Sequence, residues 1–514
     1  MTRRFRFTMA VLAGVSLLAA SCGGSDGAGT TEEAATTAPV SAESAAAPVT
    51  EAAVAEPEAT DPPVDETEAA AVTEAVEELT ASDTGITEDK IRIAVAIADL
   101  AAVRAAGISI PETLTSEHLF ERWNAYAKLW NADGGINGRE VEFVQMMWDP
   151  LNPASFDTLC AQVTVDDEVF MLVNGTGLSA VAQQCVVDAG VPVVYGDVVS
   201  KALLNSGLVI SLAPPAEVIA AAGVDAWLAT TDIAPGAKIG VVANNGPMIS
   251  SAGKAAAERL KAAGYEPQVI ETNSLGGDNA ATNEEGAAAV GTFLANGVVH
   301  AFLATPFTEN TGFWNAAKDK MPYTMLDTSS SMCSAFGLSR SPADAAGSVC
   351  ATTYDHSTSE GKGIRPDTEF EAECRAFNDE NFTEYYGGPS NSGVPAGQKL
   401  TDSDGKVLIS DYPPLECTLS NIIHLGLDGA GVNPTRQSFI DAVLNLGEVP
   451  IALASDGKGL FAPGKPYAAT MVHTIRVAQA SVEVKAGPDG TYNGCAAPVN
   501  CGIVISDWVA IPED

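Results

Sequence analysis

Several kinds of chemistry are missing from this 514-residue chain. It has no CxxC pair and only five histidines, spread along its length, so the paired soft ligands of a zinc site are absent. No GxGxxG or Walker loop follows a strand-like run, which leaves nothing to cradle a nucleotide phosphate and gives no cofactor motif. Gly177-Leu178-Ser179-Ala180-Val181 lacks the second glycine of a nucleophile elbow. Asp355-His356-Ser357 are adjacent in sequence, and adjacent side chains on extended backbone point apart rather than converge. An activated nucleophile with its base and orienting acid is therefore not in view, and the reading is not that of an enzyme. Basic residues are scarce as well. Twenty-seven Lys and Arg face 66 Asp and Glu, a net charge of −39 that argues against nucleic acid or an anionic membrane surface as the main partner.

Between Gly23 and Thr80 the scarcity is complete: 14 acidic residues and no Lys or Arg. This stretch is Ala, Thr, Glu and Pro with almost no aromatics. It cannot bury enough apolar area to offset its ordering entropy, so residues 23–82 are expected to be a disordered acidic linker that self-repulsion extends. Ahead of it, Arg3, Arg4 and Arg6 precede an apolar run from Met9 to Leu18 that ends in Ala19-Ala20-Ser21-Cys22. The run is shorter than the about 20 residues of a membrane span and reads as a secretory signal over 1–22. Its end resembles the lipobox of bacterial lipoproteins, although Leu18 lies four residues before the cysteine and that family usually has Leu three before. The resemblance makes Cys22 a lipidation site and the protein extracytoplasmic, tethered to the cell membrane through its N-terminal lipid. An ordinary cleaved signal is the other reading.

What the chain does have is hydrophobic content, 46% of residues, and a regular rhythm. Ile91 to Ile97 alternates and is β-branched. Leu119, Trp123, Tyr126 and Trp130 recur at helical spacing, and Asp133-Gly134-Gly135 then closes the helix. Val141, Phe143, Gln145 and Met147 resume as a strand after Gly138. The stretch Asn131 to Glu142, NADGGINGREVE, thus passes the chain from helix to strand in a βαβ unit. Strand-like and helix-like runs alternate through Tyr195, and a second series runs from Ala216 to Leu326. Two doubly wound α/β lobes follow from this. Residues 355–414 break the rhythm and read as an irregular insertion with a helix over 368–386.

Cys22 aside, eight cysteines remain, at 160, 185, 333, 350, 374, 417, 495 and 501. An even number in an exported chain implies disulfides whose connectivity sequence alone does not fix. The most local pairing is Cys160–Cys185, Cys333–Cys350, Cys374–Cys417 and Cys495–Cys501.

The opener Lys90-Ile91-Arg92-Ile93-Ala94-Val95, the stretch NADGGINGREVE, Val173-Asn174-Gly175 with Ser179, and the strand-helix unit Ala237 to Gly264 together resemble the type I solute-binding proteins of ABC importers. The closest class is the branched-chain amino-acid-binding one. The resemblance covers roughly residues 86 to 514. It implies two Rossmann-like lobes joined by a three-crossover hinge, lobe 1 being 86–213 plus 345–455 and lobe 2 being 214–344 plus 456–514. It further implies capture of a small polar solute, an amino acid or related amide or carboxylate, for delivery to importer permease subunits. A ligand-sensing receptor module of the same fold is the alternative.

By position in that fold, Thr176, Gly177 and Ser179 are candidates for a polar head group, Ser179 matching the family's hydroxyl contact; they also suit a helix cap. Tyr195 and Asp197 match the second contact loop, where the family often has Ser or Ala with Thr. Asp99 follows the first strand. Asn244, Asn245, Thr305 and Phe307 stand at strand ends of the second lobe, Asp327 where an acidic partner for an amine would sit, and Tyr354 is a candidate for packing an apolar side chain.

Overall fold

The alternating apolar residues of Lys90–Ala98 form β1, the strand from which the first sheet grows. A computed structural model of the protein describes residues 78–105, 115–152, 154–174, 180–196, 198–245, 250–274, 278–305, 307–326, 333, 345, 347–354, 358–359, 368–381, 400–401, 407–409, 414–479, 485–486, 492–493, 500–504 and 506–511. The signal, Cys22 and the linker as far as residue 77 lie outside them.

β1 pairs in parallel with β2 (Glu140–Trp148) on one side and β3 (Met171–Asn174) on the other, and β4 (Val193–Tyr195) and β5 (Val209–Ser211) continue outward. The strand order is β2-β1-β3-β4-β5. Around this sheet run α1 (Leu100–Ala105), α2 (Ser116–Ala132), α3 (Ala154–Ala161), α4 (Ala180–Asp188) and the short α5 (Lys201–Leu204). The strands are buried almost throughout, as a parallel sheet covered by helices requires. On α2 the apolar stripe turns inward, and the Trp123 ring meets Phe143 edge-on at 5.6 Å.

The winding then repeats. After α6 (Ala216–Thr230) come β6 (Lys238–Asn244), α7 (Ser250–Ala262), β7 (Glu266–Thr272), α8 (Asn279–Asn296), β8 (His300–Ala304), α9 (Phe307–Ala317) and β9 (Tyr323–Met325). All four strands are parallel, in the order β7-β6-β8-β9. One face packs Val241 and Phe302 against Ala220, Val224 and Leu260. The other packs Val242 and Leu303 against Phe293 and Trp314.

The last third of the chain serves both halves. β10 (Val349–Thr352) joins a mixed sheet with β11 (Thr358–Ser359), β16 (Met471–Gln479), β19 (Asn500–Val504) and β20 (Val509–Ala510). α10 (Glu369–Asn381), α11 (Pro414–Gly429), α12 (Arg436–Leu444) and the hairpin of β14 (Gly447–Pro450) and β15 (Lys458–Phe461) belong with the first half. Two further two-residue pairs, β12 (Leu400–Thr401) with β13 (Val407–Ile409) and β17 (Lys485–Ala486) with β18 (Tyr492–Asn493), complete the elements. The helix expected over 368–386 is α10, Glu369–Asn381. Phe377 of α10 stacks on Tyr126 at 4.4 Å, and Cys374–Cys417 ties α10 to α11. Cys160–Cys185 joins α3 to α4, and Cys333–Cys350 anchors β10, with Cα separations of 6.2 and 6.0 Å. The local pairing therefore holds for these three bridges; Cys495 lies outside the described residues.

Cys350 and Ala351 pack in the second half, and Phe461 and Ala468 pack in the first. The folded body also starts before residue 83. Asn433 receives hydrogen bonds from the Thr80 N–H (2.9 Å) and hydroxyl (3.1 Å), and the Ser82 hydroxyl donates to the Pro434 carbonyl at 2.6 Å.

Arg139 causes that early start. Its side chain is fully buried with no carboxylate partner among the described residues, and its guanidinium donates to the carbonyls of Thr87 (2.6 Å), Thr80 (2.7 Å) and Val432 and to Asn433 Oδ1 (3.0 Å). A buried cation needs its donors satisfied, and here oxygens from the N-terminal segment and from the loop between α11 and α12 satisfy them. The turn that delivers Arg139 is set by Asn137-Gly138, both at positive φ (51° and 79°), a two-residue type I′ hairpin closed by reciprocal Ile136–Arg139 bonds of 2.9 and 3.0 Å. Gly135 is the tighter position: at φ 78°, a Cβ would stand 1.9 Å from the Arg139 carbonyl oxygen. At Gly138 the nearest atom to such a Cβ is a Leu79 methyl at 3.5 Å. Gly138→Ala should therefore cost about 1 kcal/mol, the left-handed backbone penalty alone, and Gly135→Ala more than about 2 kcal/mol, in denaturant unfolding. Equal losses would refute this account of the turn.

A second expectation concerns acid. His300, at the start of β8, is buried among Trp227 and Phe302, with Nε2 at 2.9 Å from the Thr324 hydroxyl. Burial pushes its pKa from 6.5 down to about 4. Between those values the unfolded chain binds the proton and the folded chain does not. The stabilisation is thus present above pH 6.5 and is lost as pH falls toward 4, by about 3 kcal/mol in total. His300→Gln should flatten this part of the stability–pH curve, and an unchanged slope would contradict the assignment.

Candidate functional site

In an open sheet wound in the order 2-1-3-4-5, the connections leaving the two strands that flank the reversal pass to opposite faces of the sheet, and a crevice lies outside the carboxyl ends of those strands. The first sheet has its crevice beyond β1 and β3, and the second has one beyond β6 and β8. Nearly every residue singled out from the sequence follows one of these strands or its neighbour. Of the described ones, Asp99, Tyr195, Asn244, Asn245 and Thr305 stand at the carboxyl edges of the two sheets.

At the end of β1, Asp99 is half-buried and its carboxylate accepts the Ala101 and Ala102 N–H groups, both at 3.0 Å. It is the N-cap of α1, the bland alternative made concrete. Beside it, Ser116 bonds the Ala98 carbonyl (2.8 Å) and receives the Leu100 N–H (3.0 Å), fixing the start of α2 against the strand end. β3 ends at the fully buried Asn174, whose carbonyl accepts the Gly196 N–H at 3.2 Å. Thr176, Gly177 and Ser179 then fall outside the described residues, and α4 begins at Ala180. β4 ends at Tyr195, buried at 2% exposure; Asp197 is outside the described residues.

In the second half, Asn244 is buried and donates from Nδ2 to the Ser274 carbonyl at 2.9 Å, while the Asn245 N–H reaches the Thr272 carbonyl at 2.7 Å. These bonds splice the ends of β6 and β7. Asn245 is exposed and adds a contact to Asn273 at 3.2 Å. Glu285 of α8 closes the same loop from below, accepting the N–H groups of Asn273 (3.0 Å) and Ser274 (2.9 Å). Partial burial pushes its carboxyl pKa up, but those backbone donors outweigh it and hold the group below the usual range. At the end of β8, the buried Thr305 hydroxyl donates to Asn310 Oδ1 at 2.5 Å, and Asn310 Nδ2 returns a bond to the Thr305 carbonyl at 3.3 Å. Phe307 is the first residue of α9; Asp327 lies outside the described residues.

Tyr354 sits elsewhere than expected. It is buried in the first core, and its hydroxyl donates to the Gly196 carbonyl at 3.0 Å. The groups that sequence reasoning passed over, Ser116, Glu285 and Asn310, fix strand ends by bonds to backbone or to a neighbouring side chain. No motif marks them; only the Ser-rich or Asn-rich entry to a helix hints at such caps.

Both carboxyl edges border one hinge. The first crossover leaves β5 beside Tyr195, whose carbonyl accepts the Leu212 N–H at 3.0 Å. The second leaves β10, which starts where the Ser348 hydroxyl bonds the Tyr323 carbonyl (2.8 Å) at the head of β9 and so exits near that strand's tail. The third, Pro466 to Met471, lies against the first: Ser211 N–H to Pro466 O is 2.9 Å, Ala468 N–H to Ser211 O 3.0 Å, and Ala469 N–H to Leu212 O 3.0 Å. A recess lined by Leu212, Tyr354, Ile451, Lys458, Ala469 and Met471 touches all three crossovers.

No protein-family model matches this sequence, and no curated protein matches it. Solved structures do. A fatty acid ABC transporter substrate-binding protein from Thermomonospora curvata is similar with a TM-score of 0.54 and 15% identity, over 84% of this chain and 95% of its own. An ABC transporter solute-binding protein from R. palustris, in complex with 4-hydroxybenzoate, gives 0.54 and 14%, over 82% and 98%. A possible leucine/isoleucine/valine-binding protein from Rhodopirellula baltica gives 0.51 and 16%, over 81% and 98%. Two equally wound lobes, three crossovers and these likenesses converge: the chain has the two-lobe type I fold of ABC transporter substrate-binding proteins.

Proposed function

We propose that the folded body captures a small polar solute between its lobes and, held outside the cytoplasm by lipid on Cys22 and the acidic linker, passes it to the permease subunits of an ABC-type importer. The observation that carries this reading is the repeated winding order, which puts a crevice at the carboxyl edge of each sheet, with both edges bordering one three-stranded hinge. Closure about that hinge would bring the two crevices onto one solute. Lobe 1 is then residues 78–213 plus 353–468, and lobe 2 is residues 214–352 plus 469–514.

The solute class is a small carboxylate, an amino acid included. The crevices adjoin helix N-termini, those of α4 after β3 and α7 after β6, whose partial positive charge suits an anion. The α1 N-terminus is already occupied by the Asp99 carboxylate, which shows the same chemistry satisfied internally. The similar proteins from T. curvata and R. palustris are described as binding a fatty acid and 4-hydroxybenzoate; both ligands carry a carboxylate, which supports a panel wider than amino acids. Thr176, Gly177, Ser179, Tyr195 and Asp197 of lobe 1 would meet the solute, with Asn244, Asn245, Thr305, Phe307 and Asp327 across from them.

Thermal-shift screening of the full chain against amino acids, amides, aromatic carboxylates and fatty acids tests this. A ligand at 100-fold its dissociation constant should raise the melting temperature by at least roughly 3 °C. For that solute, Ser179→Ala and Asp327→Ala should weaken the shift without lowering the unliganded midpoint. No shift at millimolar ligand across the panel would overturn the proposal.

A further inference from the structure

One chain of contacts passes through the hinge from the second lobe into the first. It starts at Trp508, whose indole lies flat on the His473 imidazole, with centroids 3.8 Å apart and planes within 8°. His473 stands on β16 opposite Thr352 of β10, and both residues are buried. Its Nε2 donates to the Tyr354 carbonyl at 3.1 Å, which fixes the proton on Nε2 in this arrangement. Tyr354 has by then entered the first core, where its N–H is held by the Thr352 hydroxyl at 3.2 Å and its own hydroxyl donates to the Gly196 carbonyl at 3.0 Å. Gly196 in turn bonds Asn174 at the end of β3, and its neighbour Tyr195 accepts the Leu212 N–H of the first crossover. The path therefore runs from the C-terminal strands of the second lobe to the ends of β3 and β4 at the carboxyl edge of the first sheet.

We infer that Tyr354 is a positioning residue that couples the orientation of the second lobe, through His473, to the shape of the Tyr195–Gly196 turn at the edge of the solute crevice. Two features single it out from ordinary packing. First, each link is directional: a ring donor to a carbonyl, then a phenol to a carbonyl, so a rotation of β16 relative to β4 stretches a bond rather than sliding one apolar surface over another. Second, the turn has little freedom to absorb the pull elsewhere. A Cβ at Gly196 would lie 3.3 Å from Leu419 and 3.6 Å from Leu415 of α11, so the helix blocks its movement on that side. Strain arriving at the Gly196 carbonyl is thus passed to Asn174 and Leu212, both directly bonded to this turn. The functional meaning of the coupling rests on the solute-binding reading; the coupling itself does not.

Hydrogen exchange on the full chain, with no solute added, measures it. Tyr354→Phe deletes only the hydroxyl and keeps the buried ring, so the fold is retained, and peptides spanning residues 193–196 and 209–213 should exchange about fivefold faster. His473→Ala should produce the same acceleration there, two links away, besides its local effect on residues 472–476 and 509–510. His473→Gln, which keeps a donor for the Tyr354 carbonyl, should restore the wild-type rate at residues 193–196. Acceleration confined to residues 472–476 and 509–510 in His473→Ala, or wild-type exchange at residues 193–196 in Tyr354→Phe, would overturn the coupling. An identified solute then separates the two claims. Weaker binding in Tyr354→Phe extends the coupling to function, and wild-type binding beside faster exchange removes its functional meaning.

Discussion

The chain passes between the two sheets without leaving its buried backbone groups unpaired, and that constraint shapes this molecule. The first and third crossovers satisfy each other as short extended segments, Ser211–Leu212 against Pro466–Ala469, so their backbone groups are paired to one another. The second is anchored on both sides of the bend: β10 pairs with β16 in one lobe, and Tyr354 is buried in the other. Backbone pairing in extended geometry tolerates twist far better than interlocked side chains do, because packed cores change state in steps rather than smoothly. The strand ends beyond the hinge are fixed by separate devices: a cap at Asp99, a splice at Asn244 and a closed Thr305–Asn310 pair.

The stretch NADGGINGREVE stands apart from this machinery. Asn131 exchanges two bonds with Val141 (2.9 and 2.8 Å), Asn137 reaches the Leu427, Asp428 and Gly431 carbonyls where α11 ends, and Arg139 ties the N-terminal segment to the loop between α11 and α12. A buried guanidinium coordinated by carbonyls is costly to misplace, which makes this turn a register point for the lobe. Its conservative polar groups build the frame on the side remote from the strand ends.

Much of this frame was legible in the sequence because the physics is local. β1 was readable from alternation within a residue of each end, and the close of α2 from Gly134-Gly135. Three cysteine pairs followed from the nearest-neighbour rule because each links adjacent elements. The strand β5 was not readable. Three residues after Asn205-Ser206-Gly207 carry no period, and only pairing with β4 makes Val209–Ser211 a strand. Nor does composition encode the long-range contacts by which Phe461 of β15 and Ala468 join the first core. Of the site candidates, position beside a strand end was legible, but role was not. Asp99 and Tyr354 look alike in sequence to ligand contacts, and only their partners, two N–H groups and the Gly196 carbonyl, show what they hold.

The central claim is that the lobes close on a solute about these three crossovers. Spin labels on Lys128→Cys of α2 and Lys254→Cys of α7, both exposed positions in opposite lobes, report the interlobe distance directly. Addition of a solute that stabilises the protein should shorten that distance by several ångströms and narrow its distribution. A distribution that is the same with and without saturating solute would contradict closure, and with it the account of the hinge.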